Sequence, residues 1–88
     1  MPITIYRTKQ PSENLACLCD NCWELPIQVS ELEKWLDKNK NKIPTDDYVA
    51  DIGFTQRSDA SGGGAAISPE SMGIMAKAGM WLSLSEYR

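Results

Sequence analysis

The chain has 88 residues, 42% of them hydrophobic, and a formal net charge of −3 with no histidine. This length fits one domain with a modest core, and the spread of apolar residues along the chain argues against intrinsic disorder. The acidic balance disfavours nucleic-acid binding, which needs cations to neutralise phosphates, and the missing histidine excludes a Ser-His-Asp triad.

The N-terminal segment predicts a strand. Ile3 and Ile5 alternate with Thr4 and Tyr6, which is the period of a half-buried strand over residues 2–7. The same segment lacks the apolar region of a secretory signal, and no stretch of the chain approaches the ~20 apolar residues that span a bilayer. We therefore expect a cytoplasmic protein that does not bind membranes.

The next segment is ambiguous. Over residues 11–23, Leu15, Leu18 and Cys22 have helical spacing, which favours a short helix or turn, although LACLC could equally be an extended run. The stretch WELPIQV is predicted to form a brief strand or an extended segment that leads into the next helix, because Pro26 disfavours helical backbone at the preceding residue.

The middle of the chain predicts a helix followed by a strand. Ser30 and Glu33 form a capping-box pattern, so the helix is expected to begin at Ser30 and to end near residues 39–41, ahead of Pro44. Residues 48–55 then alternate between apolar and polar positions, which predicts a central strand with one lightly covered face. Residues 57–64 (RSDASGGG) are expected to form a mobile loop.

The last third predicts a capped helix and a closing strand. Ser68 is a candidate N-cap, Pro69 suits the first helical turn, and Gly79 fits a left-handed C-terminal stop. Beyond it, residues 80–85 alternate with a period of two, as a strand requires. The whole chain, residues 1–88, is therefore predicted to be a single α+β domain, with a three- to four-stranded antiparallel or mixed sheet packed against two helices.

Three cysteines, Cys17, Cys19 and Cys22, form a compact cluster. Three thiolates do not complete the usual four-ligand zinc site, and a fourth ligand would have to be Asp20, Glu24 or a residue of a partner chain. A Cys19–Cys22 redox pair matches the C-x-x-C spacing, but no βαβ redox context is visible. Buried, packing cysteines in a reducing compartment are the favoured interpretation, so we expect no metal ligand and no cofactor.

The polar residues do not point to catalysis. The glycines before Ser68 match no phosphate-loop pattern, so a loop closing onto the helix is favoured over an anion site. Asp46, Asp47, Asp51 and Asp59 match no calcium-loop pattern and are best explained as a polar strand edge with its loops. A small enzyme that uses acidic residues is the least favoured class.

Aromatic residues are the remaining candidates for a functional site. At least two of the three tryptophans, Trp23, Trp35 and Trp81, are expected in the core. Trp81 and Tyr87 are the candidate partner-binding residues, because large aromatic side chains dominate the binding energy of protein interfaces.

The run from Trp23 onward, with SELEKWL, DYVADIGFTQR and GGGAAISPESMGIMAKAGMWLSLSEY, resembles the C-terminal half of bacterial proteins of the DUF4279 family. The similarity covers about two thirds of the chain. It lies in the order of a polar strand, a glycine-rich turn, a hydrophobic-Ser-Pro-Glu helix start and a last strand ending in Tyr. The family has no established activity, so the resemblance implies only a small bacterial or phage α+β protein of the immunity or inhibitor kind.

The sequence thus favours a non-enzymatic protein-binding module, an immunity or anti-defence inhibitor from a bacterium, mobile element or phage. Its expected partner is a protein of unknown identity, and a homodimer is compatible with the sequence. The alternative is a thiol- or zinc-dependent regulatory protein that uses Cys17, Cys19 and Cys22.

Overall fold

Four strands and two helices make up the part of the chain that the computed structural model describes, residues 2–19, 21–56 and 64–87. The elements are β1 (Ile3–Arg7), β2 (Gln10–Leu18), α1 (Leu25–Asn39), β3 (Tyr48–Thr55), α2 (Pro69–Ala78) and β4 (Met80–Tyr87). The strands form one sheet in the order β2-β1-β3-β4, in which β1 is antiparallel to β2 and β3, and β4 is parallel to β3. The predicted α+β class is confirmed, and the sheet is mixed.

Both helices pack on the same face of the sheet, and the core lies between the two layers. In β3, Tyr48, Ala50 and Ile52 are fully buried, whereas the alternate residues Val49 and Asp51 stay partly exposed. This alternation follows from the period of two along a strand. The helices and the other strands contribute the rest of the buried cluster: Ile3, Ile5, Val29, Leu32, Leu36, Met75, Ala78 and Met80. The prediction that β3 is central is confirmed, since it lies between β1 and β4.

The favoured prediction of a helix or turn is wrong for most of residues 11–23, whereas the alternative, an extended run for LACLC, is confirmed for residues 15–18. Residues 10–18 form β2, which pairs with β1 through partners such as Ile3 with Leu18 and Ile5 with Ala16. Register shifts next to Tyr6 interrupt the regular alternation of β2, so this strand lacks the clear period of two that would identify it in the sequence. Pairing with β1 therefore decides the conformation.

The first helix begins five residues earlier than the Ser30 pattern predicts. Its N-cap is Glu24 and α1 starts at Leu25, so the extended conformation predicted for WELPIQV is also wrong. Pro26 lies in the first helical turn, where its missing N–H would have no helical partner. The helix ends at Asn39, within the predicted range.

The second helix has the predicted ends. The Ser68 hydroxyl accepts the backbone N–H of Ser71, and Pro69 and Glu70 occupy the first turn. Gly79 has the left-handed φ of 85° that ends the helix, and its N–H donates to the carbonyls of Met75 and Ala76. The strand predicted after the glycine is β4.

The predicted loop over residues 57–64 lies outside the described ranges, except for Gly64. Within them, neither helix has the length and apolar character needed to cross a membrane.

Candidate functional site

The face of the sheet away from the helices carries the candidate site, and we call it the open face. Strand alternation assigns to it the following residues of β1, β3 and β4: Thr4, Tyr6, Val49, Asp51, Gly53, Thr55, Trp81, Ser83, Ser85 and Tyr87. Asp51 is the only charged residue among them. On these three strands the open face is therefore nearly neutral, and it combines aromatic rings with small polar groups.

One end of the open face is apolar. The strand registers align Tyr6, Val49 and Trp81 in a single row across β1, β3 and β4. Trp81 ends this row at the sheet edge, and 71% of its surface is exposed. A tryptophan with so much exposed area gains a large amount of burial when a partner covers it.

A second aromatic group lies at the other end of β4. The Tyr87 ring packs over Gly53 and meets the Trp23 ring edge to face, with 5.9 Å between the ring centroids. The Trp23 carbonyl accepts the backbone N–H of Thr55 at 3.0 Å, which fixes the segment before α1 against the end of β3. Tyr87 is still 51% exposed and Trp23 40% exposed, so this pair is both anchored and accessible.

The centre of the open face is polar. The Ser85 hydroxyl donates a hydrogen bond of 2.8 Å to the Asp51 carboxylate, and Ser83 lies next to Asp51 in the strand register. Trp81 and Tyr87 are six residues apart on one strand, which corresponds to roughly 20 Å. Two aromatic groups separated by a polar strip can contact a protein surface at two points and orient it through hydrogen bonds.

A buried glutamine holds the segment that carries Trp23. Gln28 in α1 is fully buried, and its amide nitrogen donates to the carbonyls of Cys22 at 2.7 Å and of Gly53 at 2.6 Å. These bonds connect the turn before α1 to β3 at Gly53, the residue over which the Tyr87 ring packs. The sequence pattern gave no indication of this role, because both acceptors are backbone atoms.

The cysteines differ from the favoured interpretation. Cys17 is a free, exposed thiol on β2, so the prediction that it is buried is wrong. Cys19 and Cys22 are partly buried, and they form a disulfide that the prediction did not include. Cys19 also has a left-handed backbone, with φ of 59°, in the tight turn that the disulfide closes. Within the described ranges, no group of three or more Cys, Asp or Glu side chains is close enough to hold a metal ion.

The acidic residues do not converge on one point. Asp46 pairs with Arg7 at 3.4 Å at the end of the sheet, whereas Asp51 bonds to Ser85 on the open face. Asp59 lies outside the described residues. Asp47 lies beside Asp46 and donates its backbone N–H to the Asp46 carboxylate, so the described residues of this set lie at two places, the end of the sheet and the open face.

The Glu33 carboxylate connects the two helices through hydrogen bonds. Its Oε2 atom accepts the backbone N–H of Ser68 and the Ser71 hydroxyl, each at 2.8 Å. These hydrogen bonds favour the charged carboxylate and hold the pKa of Glu33 below its ordinary value. The carboxylate therefore joins α1 to the N-terminus of α2 and supports the helix layer behind the sheet.

A cavity of about 310 Å³ lies on the helix side of the molecule. Ile43, Ile74 and Ala78 line it together with the lysines Lys40 and Lys77. Lys40 is already paired with Asp37 at 3.1 Å on the surface. None of the predicted partner-binding residues lines this cavity, so we assign the candidate site to the open face.

The structure places the two predicted partner-binding residues on the same face, at opposite ends of β4. It adds Tyr6 and Val49, which sequence reasoning did not select because their alignment with Trp81 depends on strand order. It also adds Trp23, which lies before α1 and joins the site through its contact with Tyr87. The prediction that at least two tryptophans are core residues is wrong. Trp81 and Trp23 are exposed, and Trp35 is only partly buried at the edge of the core.

We found no significant match between this chain and any family model, curated protein sequence or solved structure. The resemblance to the DUF4279 family therefore stays a prediction.

Proposed function

We propose that this chain is a non-enzymatic protein-binding module that contacts its partner with Trp81 and Tyr87 on the open face. The observation that carries the proposal is the 71% exposure of Trp81 at the end of the aligned row with Tyr6 and Val49. Tryptophan and tyrosine are the side chains most enriched among residues that dominate binding energy, and they act best when a partner excludes water from them.

The geometry of the site supports a protein partner. The open face is a sheet surface and not a deep pocket, and its aromatic groups lie roughly 20 Å apart. Small ligands favour concave sites that enclose most of their surface, whereas a second protein can cover both aromatic groups at once. The near absence of charge on this face argues against a nucleic-acid partner.

A narrower proposal follows from the family resemblance. We propose an immunity or anti-defence inhibitor that works in the cytoplasm of a bacterium or of a cell infected by a phage. Such a protein needs a stable scaffold and one binding surface, and it needs no catalytic group.

The test is affinity capture from a lysate of the encoding organism with three baits: the wild type, Trp81→Ala and Met72→Ala. Met72 is a matched control, because it is an exposed apolar residue on α2, on the other side of the molecule. The proposal predicts a partner that the wild type and Met72→Ala retain and that folded Trp81→Ala loses. A partner retained by Trp81→Ala and lost by Met72→Ala would contradict it.

The cysteine cluster supports a second candidate, a thiol-dependent regulatory protein. The Cys19–Cys22 disulfide closes the turn directly before Trp23, and the free Cys17 lies two residues away on β2. Reduction would remove one of the constraints on the turn that presents Trp23 beside Tyr87, while the hydrogen bonds of Gln28 and Thr55 to this segment would remain. This candidate predicts that partner capture changes between reduced and oxidised protein, and that the Cys19→Ser/Cys22→Ser variant no longer responds.

A further inference from the structure

The two edges of the sheet are built differently. The β2 edge contains Pro11, and its pairing with β1 is interrupted by two register shifts. Proline and bulges are means by which proteins prevent unwanted pairing at an edge. β4 contains no proline and no lysine, and it pairs with β3 without interruption from Met80 to Tyr87. β4 is therefore a regular edge without these protective features.

The free backbone groups of β4 can be identified. The N–H of Tyr48 donates to the Gly79 carbonyl and that of Gln56 to the Tyr87 carbonyl, each at 3.1 Å. Backbone groups point to alternate sides along a strand, so the odd-numbered residues of β4 face β3. The N–H and C=O groups of Met80, Leu82, Leu84 and Glu86 face outward, where no strand of the described ranges pairs with them.

Apolar side chains are exposed on both faces of this edge. Leu84, on the helix face, is 55% exposed, while Trp81 and Tyr87 are exposed on the open face. A long, regular edge strand with exposed apolar groups is a template for pairing with another chain. The only charge between Met80 and Tyr87 is that of Glu86.

We propose that β4 pairs antiparallel with β4 of a second copy of this chain, about a twofold axis at Leu84. In this register Leu84 faces Leu84 of the second copy, and Leu82 faces Glu86. On the open face, Trp81 of one copy lies opposite Tyr87 of the other. The residues that meet as hydrogen-bonded pairs are those whose backbone groups point outward.

The β4 sequence is complementary to itself in this register, which favours a second copy of the chain as the strand that pairs with this edge. The two Glu86 side chains each face a leucine, so no like charges oppose each other, and the aromatic residues form two cross-strand pairs. A register centred on Ser83 would place Trp81 opposite Ser85 and leave Tyr87 without an aromatic partner. The pairing centred on Leu84 joins the two sheets into one and extends the open face across both copies.

The test is sedimentation analysis of the full chain over a range of concentrations. A Cys17→Ser background prevents disulfide-linked dimers through the exposed thiol. We expect the wild type to form a reversible dimer. In Leu84→Lys the dissociation constant of the dimer should be at least tenfold higher, because two ammonium groups would oppose each other at the axis. Leu15→Lys, the same change at an exposed leucine on the β2 edge, should leave the dimer intact.

A second variant keeps the test decisive if Leu84→Lys fails to fold. Glu86→Pro removes an N–H that points outward and leaves the β3–β4 hydrogen bonds in place, so it should weaken the dimer while circular dichroism stays native. A wild type that is monomeric at every concentration would overturn the proposal. So would a dimer that survives Leu84→Lys, or one that Leu15→Lys disrupts.

The register has its own test. Within one chain, Trp81 and Tyr87 are roughly 20 Å apart, so a nuclear Overhauser effect between their rings can arise only between copies. We expect this signal in a dimer mixed from labelled and unlabelled chains, and its absence from an intact dimer would contradict the axis at Leu84. Trp81 and Tyr87 take part in both proposals, but the dimer is argued from the free backbone edge of β4, and its test residue, Leu84, lies on the helix face. Loss of dimerisation in Leu84→Lys with unchanged partner capture would separate the two.

Discussion

The ring of Tyr87 lies directly over Gly53, where an added Cβ would come within 2.8 Å of the Tyr87 Cε2 atom. A glycine on an inner strand thus makes room for an exposed aromatic ring on the edge strand. The same ring contacts Trp23. Gly53 therefore determines the position of one of the two aromatic groups of the open face.

Gly53→Ala is expected to move the Tyr87 ring away from Trp23. The new methyl group needs the space that the ring occupies, and the ring can rotate outward, so we expect a loss of about 1 kcal/mol in the free energy of unfolding. The measurement is the ring-current shift of Trp23 and Tyr87 protons by NMR, together with denaturant unfolding.

Gly73→Ala is the matched control. Gly73 lies inside α2, and no atom is within 4 Å of its added Cβ. Alanine favours the helix over glycine, so this variant should gain about 0.5–1 kcal/mol and leave the Tyr87 signals unchanged. Unchanged Tyr87 signals in Gly53→Ala would show that the ring does not pack on Gly53.

Glu33→Gln is expected to lower stability by about 1 kcal/mol near pH 7, because a neutral amide replaces a carboxylate that accepts two hydrogen bonds. The folded pKa of Glu33 is lower than its unfolded pKa. The contribution of the charge is therefore complete above the unfolded pKa of about 4.3, and it disappears as the pH falls through the folded value.

The measurement is the free energy of unfolding of the wild type and of Glu33→Gln between pH 7 and pH 3. The difference between the two proteins should shrink in acid. Glu31→Gln is the control, since Glu31 only pairs with Lys34 on the surface at 3.4 Å and should cost little at any pH. A Glu33 difference that stays constant down to pH 3 would contradict the role of its charge.

Gln28→Met is expected to cost about 2 kcal/mol of unfolding free energy. Methionine has a similar size, but it leaves the buried carbonyl of Gly53 and the partly buried carbonyl of Cys22 without their donor. Thermal and denaturant unfolding measure the loss, and Gln56→Met serves as a control at an exposed position. The Gln28 Oε1 atom is buried without a hydrogen-bond partner, so the variant also removes that cost, and equal stability of the two variants would contradict a net stabilising role of the Gln28 side chain.

Reduction of the Cys19–Cys22 disulfide is expected to lower stability by up to about 2 kcal/mol, because the bond closes only a short loop in the unfolded chain. Unfolding with and without a thiol-free reductant measures the effect. The Cys19→Ser/Cys22→Ser variant should show no response to the reductant, whereas Cys17→Ser should respond like the wild type. A reductant effect that persists in the double variant would contradict this assignment.

The ends of α2 could be predicted from the sequence because their determinants are local. Ser68 and Gly79 act on backbone groups within four residues of themselves, and the structure uses both as predicted. The start of α1 was mispredicted because Glu33 caps a different helix. Its carboxylate reaches Ser68, 35 residues away, and no local pattern reveals such a contact.

Strand pairing explains the other differences. The alternation in β3 and β4 identified their two faces, and in β4 it separated Trp81, Ser83 and Ser85 from the apolar positions that alternate with them. The row of Tyr6, Val49 and Trp81 depends on the order β2-β1-β3-β4, which is a non-local property. β2 was mistaken for a helix or turn because its pairing partner, and not its own spacing, decides its conformation.

The most direct test of the account is the affinity of the captured partner for wild-type, Trp81→Ala and Met72→Ala proteins by isothermal titration calorimetry, with circular dichroism to establish that each is folded. If the open face binds the partner, Trp81→Ala should weaken binding about 30-fold or more, the effect of removing a residue worth about 2 kcal/mol, and Met72→Ala should bind like the wild type. Folded Trp81→Ala with wild-type affinity would contradict the assignment of the open face as the binding surface.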